Sequence, residues 1–193
     1  MADEDLKATR HSKVVYVVTK LQLNHRDYFL LYEHPKWGDW SLVGGHVEPG
    51  EDRDWIAAAR REAEEEMKPL RIGEDVDVEP LVHGPEQWGP QRSQSSGNRP
   101  TLYSARWFVL RFLHDPRHCL SVLPRDRFLL VERSRLESDR DTDLTSLVER
   151  LESSLPRGLD DVPYAWPPER TLSLPPLPRR DARSTGRSNA ASG

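Results

Sequence analysis

The segment GGHVEPGEDRDWIAAARREAEEEM, residues 44–67, joins a glycine pair to a helical pattern that ends in Glu62, Glu64, Glu65 and Glu66. Successive helix residues are turned by about 100°, so Glu62, Glu65 and Glu66, at i, i+3 and i+4, share one face. Ile56, Ala59, Ala63, Met67 and Leu70 form a neighbouring apolar stripe. One side of this helix is therefore expected to pack on a sheet while its carboxylates border a groove. The charge pattern is locally unfavourable. Acids in the last turn oppose the helix dipole, and each exposed like-charged pair three or four residues apart costs about 0.2–0.5 kcal/mol. A shared hard divalent cation reverses that balance, because Mg2+ takes oxygen ligands and keeps water for chemistry. The plainer reading is a solvated face whose acids pair with Arg60, Arg61, Lys68 or Arg71.

Outward from this segment, KVVYVVTKLQL (13–23) and YFLLYEH (28–34) are β-branched and aromatic and read as strands, the second paired with the first. WSLV (40–43) predicts a short strand running into Gly44 and Gly45, where glycine permits a tight turn or close approach. The helix is predicted over 54–67, with Asp52 or Asp54 as cap. VDVEPLV (76–82), TLYSARWFVLRFL (101–113) and RFLLVE (127–132) predict three more strands, with a long polar loop over 83–100. Leu144, Leu147, Val148, Leu151 and Leu155 fall at helical spacing and predict a second helix over 143–155. The composition divides the chain into a flexible N-terminus (1–11), one α/β domain (12–156) and a disordered tail rich in Pro, Arg, Ser and Gly (157–193).

The 193-residue chain, 36% hydrophobic with a net charge of −4, offers no general basic field for polynucleotides and no apolar run long enough for a membrane span. Its single Cys119 cannot form an internal disulfide, and the polar start lacks the core of a signal peptide, so a cytoplasmic address is expected. The seven histidines and Cys119 show no zinc-ligand spacing.

Gly45, Glu51 and the run Arg61-Glu62-Ala63-Glu64-Glu65-Glu66 resemble the ordered polar positions of the Nudix box, G-x5-E-x7-R-E-U-x-E-E-x-G-U. The resemblance covers residues 45–69, and WSLVGGHVEPGE resembles the family's strand-to-loop entry. Three positions differ. Nine residues rather than seven separate Glu51 from Arg61, Lys68-Pro69 replace the late glycine and aliphatic positions, and Val43 stands where many relatives have proline.

The resemblance implies an α/β/α sandwich with a mixed sheet between helices, and a hydrolase that cleaves a phosphoanhydride in a nucleoside diphosphate linked to another group. It implies Mg2+, or Mn2+, held by Glu62, Glu65, Glu66 and the Gly44 carbonyl, with one of the glutamates as general base. It also implies a structural ion pair between Glu51 and Arg61. Relatives recruit a further acid from a later loop, for which Glu86, Asp115 and Glu132 are candidates. Trp40, His46, Trp88 and Arg92 are the expected substrate contacts, with Trp37 and Arg99 as further candidates. The partner is then a nucleotide-derived small molecule. A homodimer is left open, and so is a Nudix-fold module that senses a nucleotide without turnover. RNA-end processing ranks last, because only the arginines of 178–187 offer a basic track.

Overall fold

The computed structural model describes residues 9–168 apart from 37, 51, 82–84, 94–96, 98 and 139–141. Thr19 divides the first apolar run, so it supplies two strands rather than one: β1 (Arg10–Val18) and β2 (Lys20–Leu23) enter different sheets. β3 (Arg26–Glu33), β4 (Trp40–Ser41) and β5 (Val43–His46) follow, then helix α1 (Trp55–Glu66). β6 (Val76–Pro80), β7 (Glu86–Ser93) and β8 (Arg99–Phe112) lead to α2 (Pro116–Val122), β9 (Phe128–Glu132), α3 (Arg133–Ser138) and α4 (Thr142–Ser153).

One sheet has the order β5-β1-β8-β6, with β7 also on β8; the other has β2-β3-β4, with β9 on β3. β1 runs parallel to β8 and antiparallel to β5, so the first sheet is mixed. Along β3 the side chains alternate between two cores. Leu30 and Tyr32 join Ala58, Ala59, Ala63 and Met67 of the α1 region, while Phe29 and Leu31 join Leu144, Leu147, Val148 and Leu151 of α4. Period-two strands buried on both faces therefore form the middle layer of an α/β/α sandwich.

Two expectations are corrected. The segment 83–100 carries strand β7, paired with β8 through Glu86↔Ala105, Gln87↔Ser104 and Trp88↔Tyr103. Gly89 and Pro90 argue against a strand in sequence, but they sit where the register shifts, and an edge strand tolerates proline at a bulge. The domain also runs past residue 156. A 3-10 turn, Gly158–Asp161, buries Leu159, and Val162 and Ala165 are buried as well. Ala165 donates its N–H to the Lys20 carbonyl at 2.7 Å and accepts from the Phe112 N–H at 2.9 Å, so this extended segment stitches the end of one sheet to the other. Its proline-rich composition hides a few well-spaced apolar side chains. At the other end, β1 starts at Arg10, two residues before the expected boundary. Residues 169–193, the rest of the expected tail, lie outside the described part. Among the described residues no helix is long and apolar enough to cross a membrane.

Candidate active site

Helix α1 begins where the Asp54 side chain accepts the Ala57 N–H at 2.9 Å. Its inner face is built from alanine: Ala58, Ala59 and Ala63 are fully buried and let the helix lie close to β5. Glycine meets it from the strand side. A Cβ on Gly45 would stand 2.5 Å from the Glu62 carboxylate. At Gly44 the backbone has φ +153°, and a Cβ would strike the Val15 carbonyl oxygen at 2.1 Å. Gly45 thus makes room for the Glu62 carboxylate, and Gly44 lets β5 lie close against the β1 backbone.

Glu66 uses that room directly, accepting the Gly44 N–H on Oε2 at 3.0 Å. Among the described residues it has no ion-pair partner. Burial, reinforced by Glu62 and Glu65 and opposed by the Gly44 hydrogen bond, pushes its carboxyl up to about 8. Glu62 is also raised by burial, although Arg61 Nη1 donates to its Oε1 at 2.9 Å and pulls the other way. Glu65 is more than half exposed, with Oε2 3.6 Å from Arg61 Nη1. Tyr32, from the other sheet, closes the apolar side; its hydroxyl is raised by burial and by the charge of Glu66.

Arg61 organises the loop. Its Nε and Nη2 donate to both oxygens of Asp52 at 3.1 and 3.0 Å, and Nη2 also reaches the His46 carbonyl at 2.8 Å. The Glu48 N–H adds a 2.7 Å bond to Asp52. These bonds, the Arg61 contact first, hold the Asp52 carboxyl below its ordinary range. The expected partner, Glu51, lies outside the described residues. The sequence does not mark Asp52 as the partner, because two acids stand side by side and Asp52 also fits a helix cap; Tyr32 carries no sequence signal.

The expected substrate contacts fall mostly on the opposite face of the first sheet. His46 pairs with Val14, whose neighbour on β8 is Ala105, while Trp88 pairs with Tyr103 one row away. Ser12 Oγ bonds His46 Nδ1 at 2.8 Å, and burial lowers the imidazole pKa, which favours its neutral form. Trp88 stacks on Tyr103 with centroids 5.6 Å apart, and the Arg150 guanidinium lies 4.7 Å from the Trp88 ring centre. Arg150, from α4, was not foreseen. Trp40 is half-buried against the α4 core, Trp37 lies outside the described residues, and so does the Arg92 side chain. Arg99 stands exposed at the start of β8. The three candidate acids are engaged elsewhere. Glu86 accepts from Trp107 Nε1 and Ser154 Oγ, Asp115 caps α2 and pairs with Arg117, and Glu132 pairs with Arg26.

Among the described residues no three acidic, histidine or cysteine side chains converge as a ready metal centre. In kind, however, the donors suit a hard cation. Glu62 and Glu66 are part-buried carboxylates, Glu62 in a space kept open by Gly45, and burial, followed by the charges of Glu62 and Glu65, raises the Glu66 carboxyl.

Solved structures with this fold include the Ap4A hydrolase of C. elegans, 22% identical, matched over 72% of this chain and 93% of that one with a TM-score of 0.51. NrtR of Shewanella oneidensis is 16% identical, over 74% of this chain and 62% of that one, with a TM-score of 0.48. A NUDIX hydrolase from Nitrosomonas europaea is 20% identical, over 80% and 97%, with a TM-score of 0.46. At such identities the likeness is one of fold. No protein of curated function matches the chain. The NUDIX domain model matches residues 10–128, over half of the chain and the whole span from β1 through the acidic helix to the start of β9, and the chain therefore belongs to the NUDIX domain family.

Proposed function

We propose that the protein is a Mg2+-dependent hydrolase that cleaves a phosphoanhydride bond in a nucleoside diphosphate linked to another group. The observation that carries this reading is the pair Glu62 and Glu66, part-buried against Gly45 and Gly44, with the Glu66 carboxyl pushed up to about 8 and no basic side chain on it among the described residues. Ionising both carboxyls in such a place is costly, so Glu66 holds its proton, and a bound cation offsets that cost.

In this reading Glu62 and Glu66 hold the metal, and the exposed Glu65 joins them by leaving its long contact with Arg61. When bound, Mg2+ neutralises the diphosphate and lowers the pKa of water for attack on phosphorus. The Gly44 N–H fixes Glu66 through Oε2, which leaves Oε1 free for the metal or for a proton. Arg61 fixes Glu62 through Oε1 and ties loop residues Asp52 and His46 to the same helix. The nucleoside is placed on the opposite sheet face, where Trp88 and Tyr103 offer aromatic surface and neutral His46 offers a hydrogen-bonding ring.

Phosphate release from nucleoside triphosphates, ADP-ribose, dinucleoside polyphosphates and nucleotide sugars, with Mg2+ or Mn2+, tests the proposal. Cleavage of one class by the parent and not by Glu66→Gln is expected. Ligand-dependent stabilisation without cleavage across the panel would replace hydrolysis with nucleotide sensing.

A further inference from the structure

On the α1 face of the first sheet, above the start of the helix, the described strand residues carry donors and no acids. Register places Lys13 of β1 beside Ser104 of β8, and Ser104 beside Gln87 of β7, so these three side chains share a row on one face. Arg106 stands two residues along β8 on the same face. Trp55, the first residue of α1, covers the edge of this row. The Lys13 Nζ lies 5.7 Å and the Arg106 Cζ 5.1 Å from its ring centre.

Among the described residues, none of the Lys13, Ser104, Gln87 or Arg106 side chains has a hydrogen-bond or ion-pair partner, and Arg106 Nε is buried with its donor unmet. Contact with an aromatic face lowers the energy of a guanidinium but leaves its N–H groups unused. A buried donor without an acceptor is costly, and an anion oxygen would meet it. The nearby acids of the sheet and of the loop before α1 are engaged elsewhere. Glu86 faces the α4 side, bound to Trp107, and Asp52 is taken up by Arg61. In a chain of net charge −4, two uncompensated cations with a hydroxyl and an amide between them are an unusual local concentration of donors.

We propose that Lys13, Ser104, Gln87 and Arg106, walled by Trp55, bind a phosphate-class oxyanion at a site separate from the acidic groove. Arg106 supplies a fork of N–H donors, Lys13 a point charge, and Ser104 and Gln87 neutral donors, a combination suited to several oxygens on one tetrahedral anion. Val15, fully buried under α1, lies between Arg106 and Gly45 in the same row, so the anion does not share the glutamate pocket.

Calorimetric titration in the presence of EDTA, first with orthophosphate and then with AMP, tests this without involving a metal at the glutamates. One anion per chain is expected, weakened about tenfold by Arg106→Gln, less by Arg106→Lys, and weakened also by Lys13→Gln. Glu66→Gln should bind as the parent does. Tighter binding of AMP than of orthophosphate, weakened in Arg106→Gln and Lys13→Gln alike, would name a nucleotide phosphate as the natural ligand, and equal binding a free anion. Lys13 is exposed, so Lys13→Gln serves if the Arg106 variants fold poorly. Absence of binding by the parent, unchanged binding in Lys13→Gln and the folded Arg106 variants, or loss of binding in Glu66→Gln would overturn the proposal.

Discussion

Glu66 of α1 accepts the backbone N–H of Gly44 at 3.0 Å, and this bond ties the acidic end of the helix to the sheet edge that faces it. It supplies one neutral donor to a carboxylate that has lost much of its hydration. The folded protein consequently prefers Glu66 protonated up to about pH 8.

This gives a stability prediction with a definite sign. In the unfolded chain Glu66 ionises near an ordinary pKa of about 4.3, whereas in the folded chain it holds its proton to about 8. Stability without metal should fall as pH rises between those values and level off above them. Glu66 keeps some solvent contact, so roughly 2 kcal/mol is a fair expectation after allowing for screening. Urea unfolding in EDTA from pH 5 to 9 should show Glu66→Gln gaining on the parent across this window, with Mg2+ restoring the parent alone. Parallel pH curves for the two proteins would contradict the assignment.

The glycine pair predicts two different failures. Gly44→Ala forces a Cβ into the Val15 backbone at a positive φ, so it should destabilise the fold by about 2 kcal/mol or more. Gly45→Ala meets only the end of the flexible Glu62 side chain, which can swing aside. It should melt close to the parent and lose most of its turnover. Melting curves beside rate measurements distinguish the two, and a Gly45→Ala protein with full activity would remove Glu62 from the site.

The sequence exposes this site because its clues are local. Helical spacing aligns Glu62, Glu65 and Glu66, and two adjacent glycines signal a close approach. The parts that depend on sheet assembly were not legible. Tyr32, close enough for the Glu66 charge to raise its hydroxyl, comes from a sheet that begins only because Thr19 interrupts an apolar run. Strand β7 is held by pairing with β8 despite Gly89-Pro90, a tertiary override of local propensity. The short helix α2 did carry a readable signal, an Asp115 cap followed by Pro116 in its first turn. The segment after Leu155 was misread because composition records proline content and not the few side chains that find a core.

Asp52, in the loop that precedes α1, and Arg61, on the helix, form a bidentate pair. The low carboxyl pKa of Asp52 contributes stability that is present above its unfolded value of about 3.9 and is lost as pH falls through the folded one. Asp52→Asn should cost about 1.5–3 kcal/mol at neutral pH, the range for hydrogen bonds to charged groups, and flatten the acid limb of the stability curve. Glu51→Gln is the matched comparison. A larger loss there than in Asp52→Asn would return the structural pair to Glu51, the position expected from the Nudix box.

Lys20 makes the C-terminal segment part of the fold. Only 2% of its side chain is exposed, and its ammonium is held by Asp27 at 3.1 Å, by the Leu159 carbonyl at 3.1 Å and over the Tyr164 ring at 4.7 Å. The Tyr164 hydroxyl in turn donates to Asp27 at 2.9 Å. Ending the chain at Pro156 removes the Leu159 and Tyr164 contacts together and strips the Ala165 bridge between the sheets. The buried lysine then keeps the Asp27 carboxylate but loses its hydrogen bond to the Leu159 carbonyl, a bond of the charged class worth about 1.5–3 kcal/mol, so the shortened chain should melt well below the parent. Ending it at Pro168 leaves every one of these contacts in place and should melt above the chain that ends at Pro156. Tyr164→Phe removes one hydroxyl and should cost about 1 kcal/mol. A chain ending at Pro156 that melts with the parent would show that the two sheets and their helices form a complete domain without this strap, and that Lys20 finds water once the strap is gone.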